Sequence, residues 1–270
     1  MYRLTISLCI IYDMCRSKKK NAEILWRRRL DDREPIQYLT SCVFWRDLVL
    51  AVGPGVLIPR PETELIIDFV LEAVKQHPEL GSAPWADLGT GSGALAVGIA
   101  HEIEKIPHVY AVDLAAEPAA HAAFNAQRAG VGDRVSVLRG SWYDPLRALG
   151  LSGALGGIVS NPPYIPGDLL GGLQVEVGYE PALALGGGEG LGIDCLLTIC
   201  RGAGEMLRPG GFLALETNGG EQAEYIVQLL MHLLKPVGPG GDEDGPVEFE
   251  RVKIYNDLRG VGRFVTAFKC

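Results

Sequence analysis

A chain of 270 residues has room for one large domain or for one domain with an appendage, and 47% hydrophobic with 21% charged residues is the make-up of a soluble globular protein. The net charge of −8 hides an asymmetry: residues 16–33 carry eight basic groups against three acidic ones, a surplus of five, so the rest of the chain stands at −13. An acidic body of that size argues against tight nonspecific binding to nucleic acid, and no apolar run reaches the ~18 residues of a membrane helix.

Six cysteines (Cys9, Cys15, Cys42, Cys195, Cys200, Cys270) form no C-x-x-C pair and have no zinc spacing with histidine. They read as scattered thiols in a reducing compartment, with no metal site. The apolar opening over residues 4–12 is too short to span a membrane and has neither a basic flank nor a cleavage signal. The basic stretch over 16–33 reads first as a solvated helix face, and second as a contact for RNA or an acidic partner.

Taken in chain order, residues 1–55 form a short appendage. It holds a helix near 21–30, extended stretches around Tyr38-Leu39 and Leu48-Val49-Leu50, and Val43-Phe44-Trp45 packed on the main domain. Residues 56–270 form that domain. Between 62 and 76, Leu65, Ile66, Phe69, Val70, Ala73 and Val74 share one helical face, and prolines and acids stand where a helix begins. From Trp85 onward, strands near 85–88, 108–113, 134–138, 157–160 and 211–216 alternate with helices near 93–105, 116–129, 190–207 and 220–234. Such alternation predicts an α/β, doubly wound, mostly parallel sheet covered on both faces. Two further strands, near 247–255 and 262–268, flank a loop at Asp257-Leu258-Arg259-Gly260 and close as an antiparallel hairpin, making seven strands. Glycine-rich stretches at 153–157, 171–172 and 186–190 and the acidic stretch at 238–246 read as loops.

Two motifs sit at strand ends. Asp87 closes on Gly89-Thr90-Gly91-Ser92-Gly93, a glycine-rich turn that lets a ligand approach the backbone and offers it a helix N-terminus. The next strand ends at Asp113, where an acid can accept the hydroxyls of a ribose. This much also satisfies a loose dinucleotide fingerprint. The second motif, Asn161-Pro162-Pro163-Tyr164, leaves the fourth strand. Two prolines stiffen the corner and remove two N–H donors, so it displays one amide, two carbonyls without competing donors and one ring. That surface suits a planar group bearing an NH2. In an open α/β sheet these strand ends converge on one crevice.

The two motifs together resemble those of S-adenosylmethionine-dependent methyltransferases. Leu57-Ile58-Pro59-Arg60-Pro61-Glu62-Thr63-Glu64 narrows the resemblance to the HemK/PrmC family, the glutamine N5-methyltransferases of peptide-chain release factors. Glu34 to Leu39, Gly140-Ser141-Trp142, Glu180 to Leu185 and Asp257 to Arg263 agree, in order, from about Arg28 to Lys269. The resemblance implies a Rossmann-like methyltransferase fold, S-adenosylmethionine as cofactor and a class 1 release factor as partner. A monomer is expected, without stable nucleic-acid or membrane binding by the charge and hydropathy above, and the resemblance leaves plastid, mitochondrion and cytosol open. The family carries a helical N-terminal domain of several helices, whereas residues 1–55 have room for one or two.

On this reading Asp87, Gly89, Thr90, Gly91, Ser92, Gly93, Asp113, Trp142 and Asn161 hold the cofactor. Asp87 orients the loop or meets the cofactor's ammonium through water, Asp113 takes the ribose, and Trp142 lies beside the adenine or is a core residue. Asn161 and Pro162 accept the two N–H bonds of the substrate amide, Tyr164 packs on the amide plane, and Pro163 stiffens the corner. Arg60 clamps the substrate loop, pairs with Glu62 or belongs to a structural ion pair at the domain junction, Glu180 lines the substrate mouth, and Glu216 is structural. Adenine N6-methylation of DNA or RNA is the alternative, because adenine presents a similar NH2. A non-catalytic descendant of the fold and a dehydrogenase fit less well.

Overall fold

The computed structural model describes residues 22–233 and 249–270. The apolar opening, Cys9, Cys15, the basic residues before 21 and the acidic stretch at 238–246 lie outside the described residues. In chain order come α1 (Ala22–Asp31), α2 (Ile36–Thr40), the hairpin β1 (Cys42–Trp45) and β2 (Leu48–Ala51), α3 (Glu64–Gln76), β3 (Trp85–Leu88), α4 (Ala94–Glu102), β4 (Val109–Asp113), α5 (Ala116–Arg128) and β5 (Val135–Arg139). They are followed by α6 (Asp144–Ala148), β6 (Leu155–Ser160), β7 (Ile165–Pro166), β8 (Gly186–Gly188), α7 (Asp194–Met206), β9 (Leu207–Glu216), α8 (Glu221–Gln228), β10 (Phe249–Asn256) and β11 (Gly262–Lys269).

Seven strands form one sheet in the order β10-β11-β9-β6-β3-β4-β5. All neighbours are parallel except β11, which runs antiparallel to both β9 and β10. One face carries α3, α4 and α5 with the β1–β2 hairpin, and the other carries α6, α7 and α8. Every residue of β3 is buried, as a central parallel strand covered on both sides must be. The sheet and its closing hairpin are those expected from the alternation of periods.

Several local readings need correction. Residues 155–157 are strand, not loop. Gly157 lies beside Trp85 across the β3–β6 pair, and a side chain there would collide with the Trp85 ring. The glycines are therefore there for packing. Tyr38 and Leu39 sit in helix α2 rather than in an extended stretch. Pro35 carries the φ of a helix start, its carbonyl accepts from the amides of both residues, and Ser41 closes the turn at φ +57°. In β1 Trp45 is buried, at 1% exposure, while its neighbour Phe44 is 62% exposed, because adjacent strand residues face opposite ways.

The hairpin is fastened to the main core. Trp45 joins the cluster of α3 and α4 and donates from Nε1 to the Arg60 carbonyl at 3.0 Å. The Asn125 amide bonds both backbone groups of Ala51, accepting at 2.7 Å and donating at 3.0 Å, and donates to Ser92 at 2.8 Å. One side chain thus ties the hairpin to the glycine-rich turn. Trp45→Ala is expected to lower the unfolding free energy by about 3–5 kcal/mol in equilibrium denaturation, while Phe44→Ala stays within about 0.5 kcal/mol.

Candidate active site

From β3 the chain winds outward through β4 and β5, then crosses back to β6 and β9 on the other side. The strand order reverses between β3 and β6, and the carboxyl ends of those strands open a crevice there. A cleft of about 250 Å³ occupies it, lined by the turn after β3, Asp113, Trp142, Asn161, Pro163 and Thr63.

Gly89, Gly91 and Gly93 all take positive φ, at +70°, +56° and +84°. At Gly93 even a Cβ would come within 3.0 Å of the Ala122 backbone on α5, so the turn closes onto that helix only without a side chain. Asp87 holds the turn from below: its Oδ2 accepts from Thr90 Oγ1 at 2.6 Å and from the Ala96 amide at 3.1 Å. Its Oδ1 is buried and has no partner, as is Ser92 Oγ, and both residues line the cleft. Burial pushes the Asp87 carboxyl up to about 7, against the pull of its two hydrogen bonds and with the Asp113 charge adding to the rise. Asp113 Oδ2 accepts from the Gly91 amide at 2.9 Å and Oδ1 from the Ala115 amide at 3.0 Å. Burial raises Asp113 as well. Each of its oxygens keeps a lone pair for a ligand.

Trp142 is half-buried against the second core cluster, and it lines the cleft beside Gly89. Its φ of +40° marks a forced turn after β5.

At the Asn161 corner the structure adds two residues. Asn161 Nδ2 donates to Thr63 Oγ1 at 3.0 Å, and Thr63 Oγ1 donates to Glu216 Oε2 at 2.6 Å. Tyr164 donates from its hydroxyl to Glu216 Oε1 at 2.9 Å. Asn161 and Pro163 line the cleft, whereas Pro162 and Tyr164 do not. The Tyr164 hydroxyl is turned into the protein, toward Glu216. Thr63 was missed because a threonine before a helix reads as an N-cap. It stands at that position of α3, yet makes no capping bond.

Arg60 does form a structural ion pair, with a partner other than Glu62. Arg60 pairs with Glu180 rather than Glu62, at 2.6 Å, and the other Glu180 oxygen accepts from the Ile58 amide at 2.9 Å. The Glu180 side chain is 2% exposed, so it does not face a substrate mouth. It latches the segment after β7 onto residues 58–60. Nearby, Arg29 and Arg33 bind Glu176, and Tyr179 donates to the Asp32 carbonyl. Part of the basic stretch is therefore committed to the protein itself. Among the described residues no group of acids, histidines and cysteines could hold a metal, and no helix is long and apolar enough to cross a membrane.

Proteins named release factor glutamine methyltransferase from Thermosynechococcus vestitus and Synechocystis sp. are each 41% identical to this chain, over 243 and 255 residues. The matches span 90% and 92% of this chain and 77% and 78% of those proteins. The chain belongs to the release factor glutamine methyltransferase family. No protein-family model matches it. Among solved structures, the N-terminal domain of human METTL16 in complex with SAH is similar in fold, with a TM-score of 0.54 over 82% of this chain and 75% of that one, at 14% identity. A putative rRNA-methylase from Clostridium thermocellum matches with a TM-score of 0.50 over 79% of this chain and all of that one, at 13% identity. The family of the chain and the fold are those its motifs led one to expect.

The latch gives a local test. Glu180→Ala removes charged acceptors from Ile58 and Arg60. Amide hydrogen exchange at Ile58 is expected to quicken about 10- to 100-fold, with β3 amides unchanged.

Proposed function

We propose that this chain transfers a methyl group from S-adenosylmethionine to the side-chain amide nitrogen, N5, of the glutamine in the Gly-Gly-Gln loop of a class 1 release factor. The observation that carries the reading is the Asn161 amide. Its nitrogen is held inside the protein by Thr63, and its Oδ1 takes no bond from the protein among the described residues. An acceptor of that kind at the cleft suits a substrate NH2. The relatives, named release factor glutamine methyltransferase, supply the release factor and its glutamine.

The cleft fits the cofactor. When bound, S-adenosylmethionine supplies an electrophilic methyl group on a positively charged sulfur. Asp87 Oδ1, buried without a donor, suits the ammonium directly or through a water. Asp113 suits the ribose hydroxyls, Trp142 the flat adenine, and the glycine backbone the methionine chain. The Asn161 oxygen at the cleft, and the Pro162 carbonyl at the corner beyond its lining, which accepts no backbone bond among the described residues, take the two N–H bonds of the substrate amide. Their pull strengthens as the nitrogen gains positive character, so they favour the transition state over the ground state. The proton becomes acidic at that stage, so acceptors serve where a strong base would otherwise be needed. Residues 56–270 carry this chemistry, and residues 1–55 with the Arg29–Glu176 contact contribute to docking.

The test is transfer of labelled methyl to three substrates: a release factor, the same factor with its Gly-Gly-Gln glutamine changed to alanine, and double-stranded DNA. Label on the intact factor alone supports the reading; label on DNA replaces it with adenine N6-methylation. In the same assay Asn161→Ala is expected to abolish turnover with cofactor affinity nearly unchanged, and loss of affinity would reassign Asn161. Asp113→Ala is expected to weaken cofactor binding by about 2–3 kcal/mol. Asp87 gives a pH signature. A cationic ligand favours its ionised form, so affinity for S-adenosylhomocysteine is full above about 7 and weakens as pH falls through it. Calorimetry across that range checks the sign, and Asp87→Asn should flatten the curve.

A further inference from the structure

Glu216 is a buried carboxylate that the reaction proposed above does not use. It ends β9, next to the strand that delivers Asn161. A carboxylate has no proton to give, so the hydroxyls of Thr63 and Tyr164 both donate to it. Thr63 has a single hydroxyl proton, and at 2.6 Å that proton points to Glu216 Oε2. Toward Asn161 the Thr63 oxygen can therefore only accept. Of the two ends of the Asn161 amide only Nδ2 can donate, and it does so at 3.0 Å. The direction of each bond follows from the one before it, starting at the charge on Glu216. The last consequence is that Asn161 Oδ1 is left free as an acceptor.

We propose that Glu216, acting through the Thr63 hydroxyl, sets the orientation of the Asn161 amide, and that both are positioning residues for methyl transfer to an amide nitrogen. This rests on the function proposed above. Protonation of Glu216 reverses the chain. A proton on Oε2 donates to Thr63, the Thr63 hydroxyl then turns toward Asn161 and needs an acceptor, and the amide rotates. Its NH2 then stands where the substrate requires an oxygen.

The groups facing Glu216 come from three segments. Glu62 lies before α3, Thr63 at its start, Tyr164 after β6 and Arg263 on β11. Arg263 shares its charge with Asp257 at 3.0 Å. Burial raises the Glu216 carboxyl above the ordinary range, while Thr63, Tyr164 and Arg263 oppose the rise and Glu62 adds to it. The relay needs the ionised form, so turnover is full above the Glu216 midpoint and declines as pH falls through it. Asp87 titrates too, but it acts on cofactor affinity, so saturating S-adenosylmethionine separates the two.

The experiment uses the full chain and a release factor, with labelled methyl transfer at saturating S-adenosylmethionine from neutral to acidic pH. Wild type is compared with Thr63→Val, Thr63→Ser and Glu216→Gln. Affinity for S-adenosylhomocysteine reports that each variant is folded, and the side-chain NH2 resonances of Asn161 are followed by 15N NMR. Thr63→Val should lower kcat about a hundredfold with cofactor affinity unchanged, and Thr63→Ser should restore it. Glu216→Gln should remove the acid decline in kcat, whatever its level. The Asn161 resonances should move with pH in the wild type and stay fixed in Glu216→Gln. An unchanged kcat in Thr63→Val, or a Thr63→Ser no better than Thr63→Val, overturns the proposal. So do Asn161 resonances indifferent to pH. If Thr63→Val loses cofactor affinity, the Glu216→Gln profile and the resonances decide. If the wild type labels no release factor, the proposed reaction fails, and the Asn161 resonances alone decide the relay.

Discussion

A buried carboxylate at the end of β9 holds the Asn161 side of the cleft together. Glu216 is removed from water, which a charge tolerates only when hydrogen-bond donors surround it. Those donors come from distant parts of the chain: Thr63 lies 153 residues away and Tyr164 lies 52 away. Satisfying one charge therefore brings the start of α3, the corner after β6 and the end of β9 to a single point. The Asn161 amide, standing next in the same network, inherits its orientation from that point.

The other wall of the cleft is built on the same principle with a different outcome. Asp87 is as deeply buried as Glu216, but only one of its oxygens is satisfied by the protein. An orphaned acceptor inside a folded protein is costly unless something else completes it. One carboxylate is thus closed by the protein and organises the Asn161 side. The other is left open toward the cleft and suits a cationic ligand. The glycine turn between them is held to α5 and the hairpin through Ala122 and Asn125. The geometry of the cleft consequently depends on packing on the face that carries α5 and the hairpin.

Sequence legibility divides along a physical line. The glycine turn, Asp113 and the Asn-Pro-Pro-Tyr corner were readable because their constraints are covalent and local: glycine permits positive φ, and proline fixes φ and removes a donor. Strand and helix alternation was readable because period 2 and period 3.6 repeat within a few residues. The start of β6 was not, because Gly157 answers to the Trp85 ring on another strand. The partners of Arg60 and Thr63 were not, because Glu180 and Glu216 stand 120 and 153 residues further along.

The sequence by itself therefore determined the class of fold, the family and the two motifs that meet at the cleft. Each rests on short-range stereochemistry or on the order of motifs along the chain. Only the tertiary structure decided which polar groups face the cleft and which are used up inside the protein. It turned the Tyr164 hydroxyl inward, made Glu180 a latch, and placed Thr63 between Glu216 and Asn161. A hydroxyl or a carboxylate is satisfied by whatever donor or acceptor folding brings within about 3 Å, and that neighbour can come from any point in the chain.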